Sequence, residues 1–343
     1  MTVGSARAAA LEWVRDHAAR EGSFVGAYLG GSTATLASEH ELPASSDVDI
    51  FVVARTSEPP PGPGKLLHRG VLLEVTWLPW DRLASPEEVL GSYHLASGLH
   101  LGRILADPSG DLGRVQAACR ARFAEPAWVR RRCDAALAGS AGWLAQVDPS
   151  APWHDQVTTW LFGTGVTCHV LLVAALRNPT VRLRYLRARQ VLAEHGRGDL
   201  YAEMLEHLGC AGMSPERAAE HLAALAETFD AAARVLASPY RFATDISVAA
   251  RPIAIGGSEA LIAAGDHREA VFWMLATFAR CQAVLAADAP ALRAALAPAF
   301  EALLADLGIR GSRDLRSRAA TVLRFHPRLR EAAEAILTAG HPG

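Results

Sequence analysis

Residues 45–53 read Ser-Ser-Asp-Val-Asp-Ile-Phe-Val-Val, the pattern of a buried β-strand that carries two acidic residues. Side chains alternate between the two faces of a strand, so the apolar residues share one face while Asp47 and Asp49 share the other. Two adjacent carboxylates repel each other, and the pKa of one rises unless a cation neutralises the pair. An alternative is that Asp47 caps the strand and Asp49 is an exposed strand residue.

A second predicted strand, residues 71–78, repeats this pattern, because Glu74 lies between alternating apolar residues. If the two strands lie close in one sheet, Glu74 joins Asp47 and Asp49 at a single place. A site with only oxygen ligands and room for water and phosphate oxygens suits Mg²⁺. The sequence therefore predicts a magnesium site formed by these three carboxylates.

A glycine-rich turn precedes the acidic strand. Residues 28–33 read Tyr-Leu-Gly-Gly-Ser-Thr, and they connect a predicted strand at 24–29 to a predicted short helix at 34–38. Gly30 and Gly31 allow the backbone to approach a ligand, and the first N–H groups of a helix favour phosphate. Ser32 either caps that helix or donates its hydroxyl to a phosphate oxygen.

The rest of the sequence predicts two domains of different secondary structure. A helix at residues 5–20, a tight turn at 68–70 and a short strand at 103–106 complete the part rich in strands. From about residue 112 onward, long periods rich in alanine and leucine predict packed helices. We expect an α+β protein with a small mixed-sheet domain at residues 1–115, followed by an all-α helical bundle at 116–343.

The composition narrows the class of protein. Half of the 343 residues are hydrophobic and a fifth are charged, which is typical of a water-soluble globular chain. A formal charge of −2 provides no attraction to nucleic acid, so a nucleic-acid partner is disfavoured. No apolar stretch is expected to span a membrane, and no secretory signal is recognised. The five scattered cysteines suit a reducing compartment. We therefore expect a cytoplasmic protein.

Lys65 is the only lysine in the chain. The preference for arginine is interpreted as coding bias or, alternatively, as phosphate recognition.

In order along the chain, residues 29–32, 47–50 and 73–75 resemble the motifs of the polymerase-β-like nucleotidyltransferase superfamily. These motifs are hydrophobic-Gly-[Gly/Ser], then Asp-hydrophobic-Asp-hydrophobic, then a carboxylate on a later strand. The layout is similar to the aminoglycoside and lincosamide nucleotidyltransferases, which move AMP from ATP to a hydroxyl of a small antibiotic. The resemblance implies that Gly30, Gly31 and Ser32 hold the triphosphate of ATP or another nucleotide, that Asp47 and Asp49 bind Mg²⁺, and that Glu74 completes the metal shell or acts as base.

The helical part offers weaker candidates. Polar residues concentrate at 238–246, 251–253 and 265–269, and this region is predicted to form the wall of the acceptor cleft. Glu269 is a candidate proton acceptor, or alternatively a charge that the helix dipole stabilises in a first turn. Arg251 and Arg268 either clamp phosphate or pair with Asp245 and Asp266 on the surface.

Two other functions remain open from the sequence. The acceptor of the nucleotide is a protein or tRNA instead of a small molecule, or the chain is a nucleotide-binding module of the same fold without turnover. The identity of the nucleotide and the oligomeric state are not encoded in these motifs.

Overall fold

A computed structural model describes residues 1–58, 62–240 and 242–340. The protein is α+β. It divides into two compact units, Met1–Arg132 and Cys133–Gly343. The predicted boundary between residues 115 and 116 lies inside a helix of the first unit, Asp111–Arg122, whose apolar residues pack against that unit's sheet.

The first unit contains a five-stranded mixed sheet with the order β3-β4-β2-β1-β5. Its strands are β1 Phe24–Leu29, β2 Val48–Ala54, β3 Gly64–His68, β4 Val71–Pro79 and β5 Arg103–Ala106. Strands β2 and β4 run parallel, whereas the other neighbours are antiparallel. The strands predicted at 24–29, 48–53, 71–78 and 103–106 are all confirmed. These segments are rich in the β-branched and aromatic residues that favour strands.

Helices cover both faces of this sheet. The helices of the first unit are α1 Val3–Asp16, α2 Pro86–Gly91, α3 Leu95–Leu101 and α4 Asp111–Arg122. On one face, α1 packs against the apolar side of β2, which includes Val48 and Ile50. On the other face, α2, α3 and α4 pack against residues such as Tyr28 and Val53. Asp49 alternates with Ile50 and therefore lies on the same face as Val53, near the beginning of β2.

Strands β3 and β4 form a hairpin whose two turn residues are Arg69 and Gly70, as the sequence predicted. Both residues have positive φ angles, 51° and 76°, which is the geometry of the two-residue turns that match strand twist. His68 pairs with Val71, so the turn fixes the register of the whole hairpin. Within the predicted proline-rich turn at 58–64, residues 59–61 lie outside the described residues.

The second unit is helical, and the described part of it contains no strand. The helices that reach or lie in this unit are α5 Pro126–Ala145, α6 Trp153–Ala174, α7 Arg184–Glu194, α8 Gly198–Leu208, α9 Pro215–Val235, α10 Gly257–Ala263, α11 His267–Asp288, α12 Pro290–Asp306 and α13 Ser312–Gly340. The helix predicted from residue 267 to 285 is confirmed as α11. It packs against α6, α9, α10 and α12.

Helices α6 and α11 are each long and apolar enough to cross a membrane, with a mean hydropathy of 1.5 over 18 residues. The sequence analysis expected no apolar stretch to span a membrane, and this stays a prediction. In both helices 83% of that stretch is buried inside the protein, as in the core helices of a globular unit. Two such helices are weak evidence for a membrane.

Candidate metal centre

The register of the sheet brings the three predicted carboxylates together. Asp49 on β2 pairs with Glu74 on the parallel strand β4, and Asp47 lies one residue before β2 begins. One ligand oxygen from each of the three side chains lies within 4.8 Å of the others. Opposite ligands of Mg²⁺ are separated by about 4.2 Å, twice the usual bond length. Small side-chain adjustments would therefore let all three carboxylates contact one ion.

The surroundings of Asp49 oppose the ionisation of its carboxyl. Burial, together with the negative charges of Asp47 and Glu74, raises the pKa of the Asp49 carboxyl to about 8. Among the described residues, none donates a hydrogen bond to this carboxyl. Asp49 is thus a partly buried group surrounded by like charge, and not the exposed strand residue of the alternative interpretation. A bound cation would favour its ionised form.

Lys65 is the member of the cluster that the sequence did not reveal. It pairs with Glu74 across the β3–β4 hairpin, and its Nζ donates hydrogen bonds to Asp47 and Glu74. Only 6% of its side chain is exposed. Burial acts to raise the pKa of the Asp47 carboxyl, but the charge and hydrogen bond of Lys65 outweigh it, so this pKa is lowered. The available clue was that Lys65 is the only lysine in the chain.

The net charge of the cluster matches a divalent cation. With all groups ionised, the three carboxylates contribute −3 and Lys65 contributes +1, which leaves −2. One divalent ion brings this sum to zero. Because oxygen is the only ligand type offered by the three acids, the residues present fit Mg²⁺ better than a softer metal.

The glycine-rich turn lies directly against Asp49. The N–H of Gly30 donates to the backbone oxygen of Asp49 at 3.0 Å. Gly31 has a φ of +59°, and a Cβ at this position would lie 2.1 Å from Oδ2 of Asp49. A Cβ at Gly30 would lie 2.5 Å from the Phe51 ring. Both positions therefore need glycine, and the predicted phosphate turn and the predicted metal site are adjacent.

The short helix predicted at residues 34–38 is wrong. A single 3-10 turn at Ser32–Ala34 takes its place, so the turn lacks the full first turn of N–H groups that a longer helix would present. Ser32 itself is exposed beside Gly31. A buried arginine, Arg7 on α1, binds the backbone of this irregular segment.

The contacts of Arg7 with this segment were not evident from the sequence. Its Nε donates to the Thr33 oxygen at 2.7 Å and its Nη2 to the Leu36 oxygen at 2.5 Å, while its Nη1 reaches Ser38 Oγ at 3.2 Å. Burial lowers the pKa of the guanidinium, with the charge of Arg103 as a second cause. A detectable signal existed, since Arg7 lies on the apolar stripe of α1 with Val3, Ala10 and Val14.

Glu269 is buried in the first turn of α11, where 2% of the residue is exposed. Its Oε1 accepts hydrogen bonds from Tyr201 Oη at 2.5 Å and from Arg189 Nη1 at 2.8 Å. Arg189 also donates to Asp266 at 2.6 Å. These contacts favour a structural role for Glu269 in the helical unit; its role as a base stays a prediction.

The predicted partners of the two helical-unit arginines are wrong. Arg251 pairs with Asp230 through two hydrogen bonds of 2.6 and 2.9 Å, whereas Asp245 lies 3.2 Å from Arg280. Asp266 is held by Arg189 and not by Arg268. Arg268 keeps a buried Nε without a hydrogen-bond partner in the described part of the chain, and its phosphate role stays a prediction. Arg241, part of the predicted cleft wall, lies outside the described residues.

Comparison with known proteins adds no assignment. No known protein family matches the chain. No curated protein matches it either. Any function must therefore be argued from the arrangement of the residues described above.

Proposed function

We propose that the protein is a magnesium-dependent nucleotidyltransferase. It would move a nucleoside monophosphate, with ATP as the first donor to test, to a hydroxyl of a small molecule such as an aminoglycoside-like antibiotic or a secondary metabolite, and release pyrophosphate. The observation that carries the proposal is the contact between Gly31 and a cluster of three carboxylates with an unbalanced charge.

Each residue of this cluster has a distinct part in the proposal. Asp47, Asp49 and Glu74 would hold the cation, which would neutralise phosphate charge and orient the donor for in-line attack. Gly31 keeps the chain close enough to Asp49 for the donor's phosphates to lie beside the metal ligands. The side chain of Glu74 is 37% exposed, compared with 20% for Asp47, so Glu74 has better access to an acceptor hydroxyl.

The layout of the chain supports a small-molecule acceptor. A unit with a mixed sheet, Met1–Arg132, precedes a larger helical unit, Cys133–Gly343, which is the order that the resemblance predicts. The helical unit contains the remaining candidate residues. Glu269, Arg251 and Arg268 are its candidates from the sequence, although the contacts of Glu269 and Arg251 within their own unit favour structural roles.

The proposal can be tested by measuring pyrophosphate release from each of the four ribonucleoside triphosphates with Mg²⁺ and a panel of aminoglycosides and lincosamides. Mass spectrometry of the acceptor would identify the transferred group. We expect release with at least one pair, its loss in Asp49→Asn, and its retention in Asp81→Asn, a matched exposed aspartate of the same unit. Full turnover in Asp49→Asn would contradict the proposal.

One observation favours a second candidate, a nucleotide-binding module without turnover. Lys65 already neutralises part of the carboxylate charge, as a purely structural ion cluster would require. This candidate gains support if nucleotide binds but no acceptor is consumed, including protein and tRNA acceptors incubated with labelled ATP.

A further inference from the structure

Lys65 binds two of the carboxylates that would hold a metal ion. Its Nζ donates to Oδ2 of Asp47 and to Oε2 of Glu74, two of the three side chains whose oxygens converge. The strand register places Lys65, Glu74 and Asp49 in one row across β3, β4 and β2. An ammonium group and a divalent ion therefore compete for the same two carboxylates.

The burial of Lys65 shows that this contact is part of the fold. Lysine side chains are rarely buried without a partner, because removing an ammonium from water is costly. With 6% of its side chain exposed, Lys65 recovers that cost through its two carboxylate partners. The same contact holds Asp47 and Glu74 together, although their negative charges would otherwise drive them apart.

We propose that Lys65 is an internal counter-cation: it holds Asp47 and Glu74 together when no metal is bound, and a divalent ion displaces its ammonium from them. The inference rests on the metal site of the proposed function. Exchange of one positive charge for two brings the charge of the three carboxylates closer to neutrality, so the displacement favours divalent over monovalent cations. Lys65 thereby lowers the metal affinity of the site, because its competition for the two carboxylates outweighs its contribution to holding them together.

The single lysine makes a direct test practical. Protein produced with ¹⁵N- and ¹³C-labelled lysine gives one lysine side-chain signal in the NMR spectrum, that of Lys65. Titration with Mg²⁺ should move this signal from a hydrogen-bonded to a solvent-exposed position, in step with metal binding measured by calorimetry. Mg²⁺ that binds while the signal keeps its hydrogen-bonded position would overturn the inference and leave the proposed function standing. If no Mg²⁺ or Mn²⁺ binds at all, the metal site and the inference both fail.

A second measurement compares Mn²⁺ affinity in Lys65→Met and in the charge-preserving control Lys65→Arg. Removal of the competing ammonium should tighten Mn²⁺ binding roughly tenfold or more in Lys65→Met, because one like charge is removed from the immediate surroundings of the ion. Lys65→Arg should stay within about threefold of the wild type, since its positive charge remains. Equal or weaker Mn²⁺ binding in Lys65→Met would overturn the inference. Should Lys65→Met fail to fold, the signal of wild-type Lys65 still decides the question.

Discussion

The two units differ in how far the charges of their buried acidic residues are neutralised by neighbouring side chains. In the helical unit, Glu269 is almost fully buried, yet a guanidinium and a phenol hydroxyl bind its carboxylate. In the sheet unit, three carboxylates lie close together, a single lysine binds two of them, and Asp49 faces two like charges. Burial alone therefore does not identify a candidate functional acid. An excess of negative charge that the fold leaves unbalanced is the better indicator, because it is costly unless a ligand neutralises it.

The largest effect, a loss of turnover, is expected from Asp49→Asn. Turnover should fall by at least about a thousandfold, since a metal ligand supports several kcal/mol of transition-state stabilisation. The free energy of unfolding without metal should change by less than about 1 kcal/mol, because the substitution removes a group surrounded by like charge. Pyrophosphate release and urea unfolding measure the two quantities, with Asp81→Asn as the control. A large loss of stability together with normal turnover would make Asp49 a structural residue.

A second test concerns the contact between the glycine turn and the carboxylates. Gly31→Ala introduces a Cβ at 2.1 Å from the Asp49 carboxylate and at a φ of +59°. We expect a loss of about 1–3 kcal/mol in stability, from backbone strain and the displacement of Asp49. Mn²⁺ affinity should fall as well.

The matched control is Gly22→Ala in the same unit, where a Cβ would meet no atom within 4 Å. Its free energy of unfolding should stay within about 0.5 kcal/mol of the wild type. Thermal unfolding and Mn²⁺ calorimetry of both variants decide the matter. Equal Mn²⁺ affinity in Gly31→Ala and Gly22→Ala would show that the glycine turn does not affect metal binding.

Glu269→Gln tests whether the buried acid of the helical unit has a structural role. The change removes the charge that binds Arg189, whose side chain is 35% exposed, and should cost about 1–2 kcal/mol of stability after allowance for solvent screening. Glu259→Gln, at an exposed position of α10, is the control. A hundredfold loss of turnover with unchanged urea unfolding would instead identify Glu269 as the proton acceptor.

The smallest effect is expected from Arg251→Gln. Arg251 and Asp230 form a surface pair, with 42% and 39% of their side chains exposed, so the pair contributes less than about 1 kcal/mol and weakens with salt. Nucleotide affinity, measured by fluorescence titration, should change less than about twofold because the guanidinium is already bound by a carboxylate. A tenfold loss of affinity would restore the phosphate role that the sequence predicted.

The strands of the sheet unit could be predicted from the sequence because each one is marked by a pattern within a few consecutive residues. Alternation along residues 48–53 and 71–78 located the strands and the face that Asp47, Asp49 and Glu74 share. The parallel pairing of β2 with β4 then made these residues neighbours.

Features that depend on distant residues were missed. Lys65 follows a proline-rich stretch that carries no strand pattern, and Arg7 acts on a loop 26 to 31 residues away. In the helical unit, Arg251 binds Asp230 on another helix instead of the nearby Asp245. Helical periodicity locates a core stripe, but it does not determine which polar side chains meet.

We propose that the carboxylate cluster binds a divalent ion together with a nucleotide. The most direct measurement is the thermal stability of the wild type and of Asp47→Asn/Asp49→Asn with nucleoside triphosphates, in the presence and absence of Mg²⁺. A ligand at a hundredfold excess over its dissociation constant adds about 2.7 kcal/mol to the stability of the folded state. We expect a stabilisation that requires Mg²⁺ and disappears in the double variant. The same stabilisation in both proteins, or none with any nucleotide, would contradict it.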